Sequence, residues 1–114
     1  MHELSLVSAL VEHVEELARA QHFDRVLTLW LSVGALSGAE PSCIEFCFPE
    51  ATRSSVLEGA RLVLQRVEVE LACRGCAALS YPLDSSALFC GKCQSTDVQI
   101  RRGQDFCIAE LEVQ

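Results

Sequence analysis

The chain has 114 residues, half of them apolar, and sets 16 Asp and Glu against 9 Lys and Arg for a formal charge of −7. That balance excludes a disordered chain, and it argues against a nucleic-acid partner, because affinity for a phosphate backbone comes from clustered Lys and Arg. No apolar run reaches the length of a membrane span, and no basic segment leads into a hydrophobic stretch and a small-residue cleavage site, so a cytoplasmic protein with no membrane partner is expected.

The first residues, Met1, His2 and Glu3, run directly into a helical pattern. Leu6, Val7, Leu10, Val11, Val14, Leu17 and Ala18 form one broad apolar stripe, with Glu12, Glu15, Glu16 and Arg19 opposite, so the spacing predicts a helix ending near Gln21 and His22. His13 and His22 lack a second ligand at a useful spacing and are read as solvent-side or helix-end residues. From Arg25 to Gly34 the period becomes two, predicting a strand with Leu27, Leu29, Leu31 and Val33 on its buried face. A loop follows, and Pro41 then opens a short second helix carrying Ile44, Cys47, Phe48 and Ala51, which Pro49 should kink or stop. Cys43 and Cys47 are one helical turn apart and could clamp a metal, but free Cys is commonly buried, and both are expected in the core.

Residues 61–72 make a second extended run, with Val63, Val67, Val69 and Leu71 on one face, and it leads straight into Cys73. Here the strongest motif begins. Cys73 and Cys76 form one C-x-x-C knuckle and Cys90 and Cys93 a second, with thirteen residues between the inner cysteines. Two sulfurs on each tight turn can complete the closed tetrahedral shell that zinc prefers, so these four residues are the expected ligands of a structural zinc. Gly75 and Gly91 are read as the residues that let each knuckle fold back. Tyr81 to Ser86 reads as turn and loop, as a small zinc ribbon requires. A redox reading fits less well, since neither C-x-x-C opens a helical pattern. Three cysteines remain, an odd number that suits a reducing compartment.

Beyond Cys93, residues 98–102 read as a short strand, Gly103 breaks it, and residues 105–113 alternate Cys107, Ala109, Leu111 and Val113 against Phe106, Ile108, Glu110 and Glu112. The runs entering and leaving the zinc module match in length, and they are expected to pair antiparallel and carry the ribbon on a long β-hairpin. The fold class expected is therefore α+β, a small sheet of about three strands covered by two helices, with a zinc-ribbon subdomain on that hairpin. The division expected is 1–72 plus 104–114 for the α/β part and 73–103 for the ribbon.

The terminus offers a second kind of metal chemistry. The amine of Met1, the amide nitrogen of His2 and its imidazole can form fused chelate rings, and the Glu3 amide or another donor can finish a square. Nickel(II) accepts such tetragonal nitrogen sets, whereas zinc favours the cysteine site. With reference pKa values of about 7.7 to 8.0 for the amine and about 6.5 for His, affinity should fall steeply on mild acidification.

Several stretches together resemble the HypA/HybF family of hydrogenase-maturation nickel metallochaperones. They are the opening Met1-His2-Glu3-Leu4-Ser5, then residues 33–38 (VGALSG), Phe46-Cys47-Phe48, residues 57–62 (LEGARL) and the paired knuckles. The resemblance spans essentially the whole chain. It implies a nickel site using the Met1 amine, His2 and Glu3, and a structural zinc held by Cys73, Cys76, Cys90 and Cys93. It also implies delivery of nickel to the large subunit of [NiFe]-hydrogenase together with a maturation GTPase, with some members serving urease, and no catalytic residues. Whether nickel is held by one chain or shared in a homodimer is left open. The competing readings are a zinc-ribbon module binding protein or nucleic acid, which the acidic balance disfavours, and an enzyme. Four thiolates leave zinc no open position, and no nucleophile elbow, phosphate loop or H-E-x-x-H is present.

Overall fold

The computed structural model describes residues 2–82 and 87–114, without the side chain of His2. The elements in chain order are α1 (His2–Gln21), β1 (Val26–Gly34), α2 (Pro41–Ala51), β2 (Arg61–Val67), β3 (Glu70–Cys73), β4 (Leu79–Ser80), β5 (Val98–Arg102) and β6 (Phe106–Val113). The loop expected over Tyr81 to Ser86 falls partly outside the described residues.

α1 buries Val7, Leu10, Val14 and Ala18, the centre of its predicted stripe. It ends with His22 in the left-handed region at φ 60°, while the Phe23 N–H reaches back 3.2 Å to the Ala18 carbonyl, a closing bond that satisfies one of the last free carbonyls. α2 begins at Pro41, where a missing N–H costs nothing, and stops two residues after Pro49. There the buried Thr52 hydroxyl donates to the Phe48 carbonyl at 2.8 Å. Leu29 and Leu31 of β1, Ile44 and Phe48 of α2, and Leu57 join the α1 residues in one core. Burial of each such side chain contributes about 1.5–3 kcal/mol.

The α+β class holds, and a three-stranded sheet lies under two helices, but the strand partners differ from expectation. The order is β2-β1-β6, with β2 parallel and β6 antiparallel to β1. α2 is thus the crossover of a β-α-β unit. The run expected over 61–72 is broken at residues 68 and 69, and only its second part, β3, pairs antiparallel with β5. The two long runs do not form one hairpin, because β1 separates β2 from β6 in the first sheet. The second sheet, β4-β3-β5, carries the knuckles.

Two irregularities move side chains between faces. The β1 to β6 register shifts between Val26 and Thr28, so Val26 is buried in the core and Leu27, expected there, is only half-buried. A second shift beside Ala109 turns Phe106, Ile108 and Leu111 to the core, in place of a strict alternation. An extra residue in one strand reverses the parity of everything after it.

The two sheets meet at a close backbone crossing. The Gly34 N–H donates to Asp105 O at 2.8 Å, Ala35 N–H to Val67 O at 2.9 Å and Leu36 N–H to Gly103 O at 2.7 Å. A Cβ on Gly34 would lie 2.4 Å from Gly103 O, and one on Gly103, whose φ is +95°, would lie 2.8 Å from Glu68 O. Only glycine fits either position.

Candidate metal centre

Each knuckle is built by the same backbone device. The Cys73 N–H donates to Ala78 O at 3.0 Å while the Ala77 N–H returns to Cys73 O at 3.0 Å; Cys90 pairs with Ser95 O at 2.9 Å and Gln94 with Cys90 O at 2.9 Å. Ala77 and Gln94 both take φ 64°. The left-handed residue therefore follows the second cysteine of each motif. The expectation for Gly75 and Gly91 is corrected on this point: neither has positive φ, and a Cβ on Gly75 would make only an ordinary 3.7 Å contact with Cys73 Sγ.

The knuckles face one another across the second sheet. The Sγ atoms of Cys73 and Cys93 are 3.6 Å apart, as are those of Cys76 and Cys90, and all four lie within 4.8 Å. Ligands at a Zn–S distance of about 2.3 Å on a tetrahedron would be about 3.8 Å apart, so the cluster matches that shell in donor type and size. Cys73 and Cys90 are buried at 5% and 0% exposure, while Cys76 and Cys93 lie toward solvent. This is the only group of three or more potential ligands that close among the described residues.

Backbone amides prepare the sulfurs for a cation. The Cys93 N–H at 3.4 Å and the Lys92 N–H at 3.3 Å pull the Cys90 thiol down to about 6. The Cys76 amide at 3.4 Å, and behind it that of Gly75, lowers Cys73. At Cys93 the Ser95 amide pulls downward, but the sulfurs of Cys73 and Cys76 outweigh it and push the thiol up to about 11. Four crowded sulfurs cannot all be thiolates without a cation, so they share protons that a divalent metal would displace. Ser80, which nothing in the sequence marks out, accepts the Gly91 N–H at 2.8 Å and holds the second knuckle against β4. Arg74 spans the module to Asp97 at 2.9 Å and to the Val98 carbonyl at 3.1 Å.

The remaining cysteines stay apart from this cluster. Cys43 is exposed, contrary to the expected core position, because it lies off the α2 face that buries Ile44 and Phe48. Cys47 is half-buried, its Sγ 3.7 Å from the Ile44 carbonyl, and Cys107 is exposed on β6. His13 and His22 are exposed, as expected.

Of the three terminal positions expected to hold nickel, Met1 and the side chain of His2 lie outside the described residues. Glu3 is described. Its carboxylate accepts the Glu40 N–H at 3.0 Å, tying the start of α1 to the start of α2. That amide, followed by the N–H of Glu3 itself, holds the carboxyl below its ordinary range.

Over residues 1–113 the sequence matches the family described as hydrogenase/urease nickel incorporation, metallochaperone, HypA. The chain belongs to the HypA family. The hydrogenase maturation factors HypA of Albidiferax ferrireducens and Methylocella silvestris are 38% and 40% identical to it over 114 residues, covering 100% of each chain. The solution structure of the Ni metallochaperone HypA from Helicobacter pylori superposes with a TM-score of 0.73 at 28% identity, over 97% of this chain and 96% of that one. A second solved HypA protein gives 0.74 at 29% identity, over 100% and 97%. This member thus shares the HypA fold along its whole length. Its relatives are named for maturation and metal carriage rather than for a reaction they catalyse, and none of its described helices is long and apolar enough to cross a membrane.

Proposed function

We propose that this HypA-family chain is a cytoplasmic nickel carrier, not an enzyme, that binds Ni(II) with the Met1 amine, His2 and Glu3. It passes the ion on for [NiFe]-hydrogenase maturation, working with a maturation GTPase and the hydrogenase large subunit, alone or as a homodimer. Cys73, Cys76, Cys90 and Cys93 hold a structural zinc that closes the ribbon. The division of labour follows the chain, with 1–72 plus 104–114 as the nickel-binding part and 73–103 as the zinc part. Nickel is cargo, so a site with few side-chain donors suits an ion that must also be released. Four thiolates offer zinc no open position, which suits a staple rather than a catalyst.

The observation that carries this reading is the HypA match, which spans residues 1–113 and so includes both the terminus and the knuckles. Counting metals tests it. Untagged protein should hold one zinc and take up nickel in addition, and His2→Ala, or a blocked first amine, should abolish nickel while zinc stays in place. X-ray absorption at the nickel edge should show nitrogen and oxygen donors; nickel surrounded by cysteine sulfur, or full nickel uptake by the His2→Ala variant, would sink the terminal site.

A further inference from the structure

A groove of about 410 Å³ runs between α1 and β6, lined by Leu6, Ala9 and His13 of the helix and by Phe106, Cys107 and Ile108 of the strand. β6 is an edge of the first sheet. Its pairing with β1 places Cys107 opposite Ser32, Phe106 opposite Val33 and Ile108 opposite Leu31. Opposed residues in an antiparallel pair alternate between bonding each other and pointing away. Because the Gly34 N–H bonds Asp105 O at 2.8 Å, that alternation turns the Cys107 backbone toward β1 and the N–H and C=O of Phe106 and Ile108 toward the free edge. A row of donors and acceptors thus borders an apolar groove. Edge strands are ordinarily blunted by charges, proline or bulges. Here the shift beside Ala109 and the charges of Glu110 and Glu112 come only after Ile108, so residues 106–108 are unguarded.

Charge selects the occupant. Glu12 and Glu16 are exposed on the α1 turns that follow Ala9 and His13, the chain as a whole carries −7, and no Lys or Arg lines the groove among the described residues, while the carboxylates of Glu3, Glu15 and Glu112 are taken up by Glu40, Val56 and Thr28. We propose that this groove docks an extended, basic segment of a partner protein, which adds to β6 as a further strand and sets alternate apolar side chains against Leu6, Ala9 and Phe106. A second copy of this chain is a poorer occupant, because it would bring another −7 and the same two β6 glutamates to the same edge. The proposal does not depend on the nickel donors.

Amide hydrogen exchange on the untagged full-length protein tests it. The probe is a capped octapeptide alternating valine and lysine, and the control alternates valine and glutamate. The lysine peptide should slow exchange at Phe106 and Ile108 by roughly tenfold or more. Ala9→Trp, which fills the groove from an exposed helix position, should remove that protection while circular dichroism stays unchanged. Unchanged exchange at saturating lysine peptide overturns the proposal, and so does equal protection by the glutamate peptide or by Ala9→Trp. Protection that grows with protein concentration in the absence of peptide would assign the edge to a second copy instead.

Discussion

Glu3 shows how one side chain can serve an element other than its own. Its carboxylate caps the Glu40 N–H, the first residue before α2, and that hydrogen bond lowers its pKa from 4.5. A carboxyl depressed in the folded state contributes fully above its unfolded value and is lost as pH falls through the folded one. Exchange protection of the Glu40 amide should therefore persist at neutral pH and disappear on acidification below 4.5, and Glu3→Ala should remove it at every pH. Protection unaffected by the substitution would place the cap elsewhere. The same scale corrects the knuckles. Gly75 and Gly91 look like the turn residues, yet the left-handed backbone falls on Ala77 and Gln94, because each knuckle closes its hydrogen-bonded loop one residue beyond the second cysteine. The repeat C-x-x-C-x, read as a unit, was the available signal.

At the scale of elements, the crossing of Gly34 and Gly103 joins the two sheets. Gly34→Ala drives a Cβ to 2.4 Å from a backbone oxygen that cannot swing aside, and Gly103→Ala adds a strained φ of +95°. Each should cost more than about 2 kcal/mol in urea unfolding, against about 0.5 kcal/mol or less for Gly75→Ala. Equal effects at the three positions would refute the crossing as the point of strain. The break between β2 and β3 lies at this same place, where Val67 O turns to accept the Ala35 N–H. Nothing in the alternation of residues 61–72 marks it, since β2 and β3 are both extended. Helix boundaries were far more legible: the α1 stripe, Pro41 and Pro49 located both helices within a residue or two.

The whole molecule is elongated, 51 × 28 × 17 Å, with a radius of gyration of 17.1 Å. A compact chain of this length would have about 13 Å. The second sheet has few buried apolar residues, chiefly Val69 and Leu71 beside Cys73 and Cys90. So small a core suits a metal staple. On the proposed zinc site, a chelator should therefore abolish exchange protection in β3 and β5 while the amides of β1 keep theirs, and loss of both together would show that the two sheets unfold as one.

The sequence by itself determined what depends on local spacing: two amphipathic helices, several extended runs, and four sulfurs in two pairs. These follow from periods of 3.6 and 2 and from the reach of a single turn. Only the tertiary structure decided that β1 lies between β2 and β6, that two register shifts in the pairing of β1 with β6, one at Leu27 and one beside Ala109, swap Leu27 for Val26 and turn Leu111 inward, and that Cys43 faces solvent. Alternation assigns a residue to a face but names no partner strand, and strand order is settled by contacts between residues far apart in the chain.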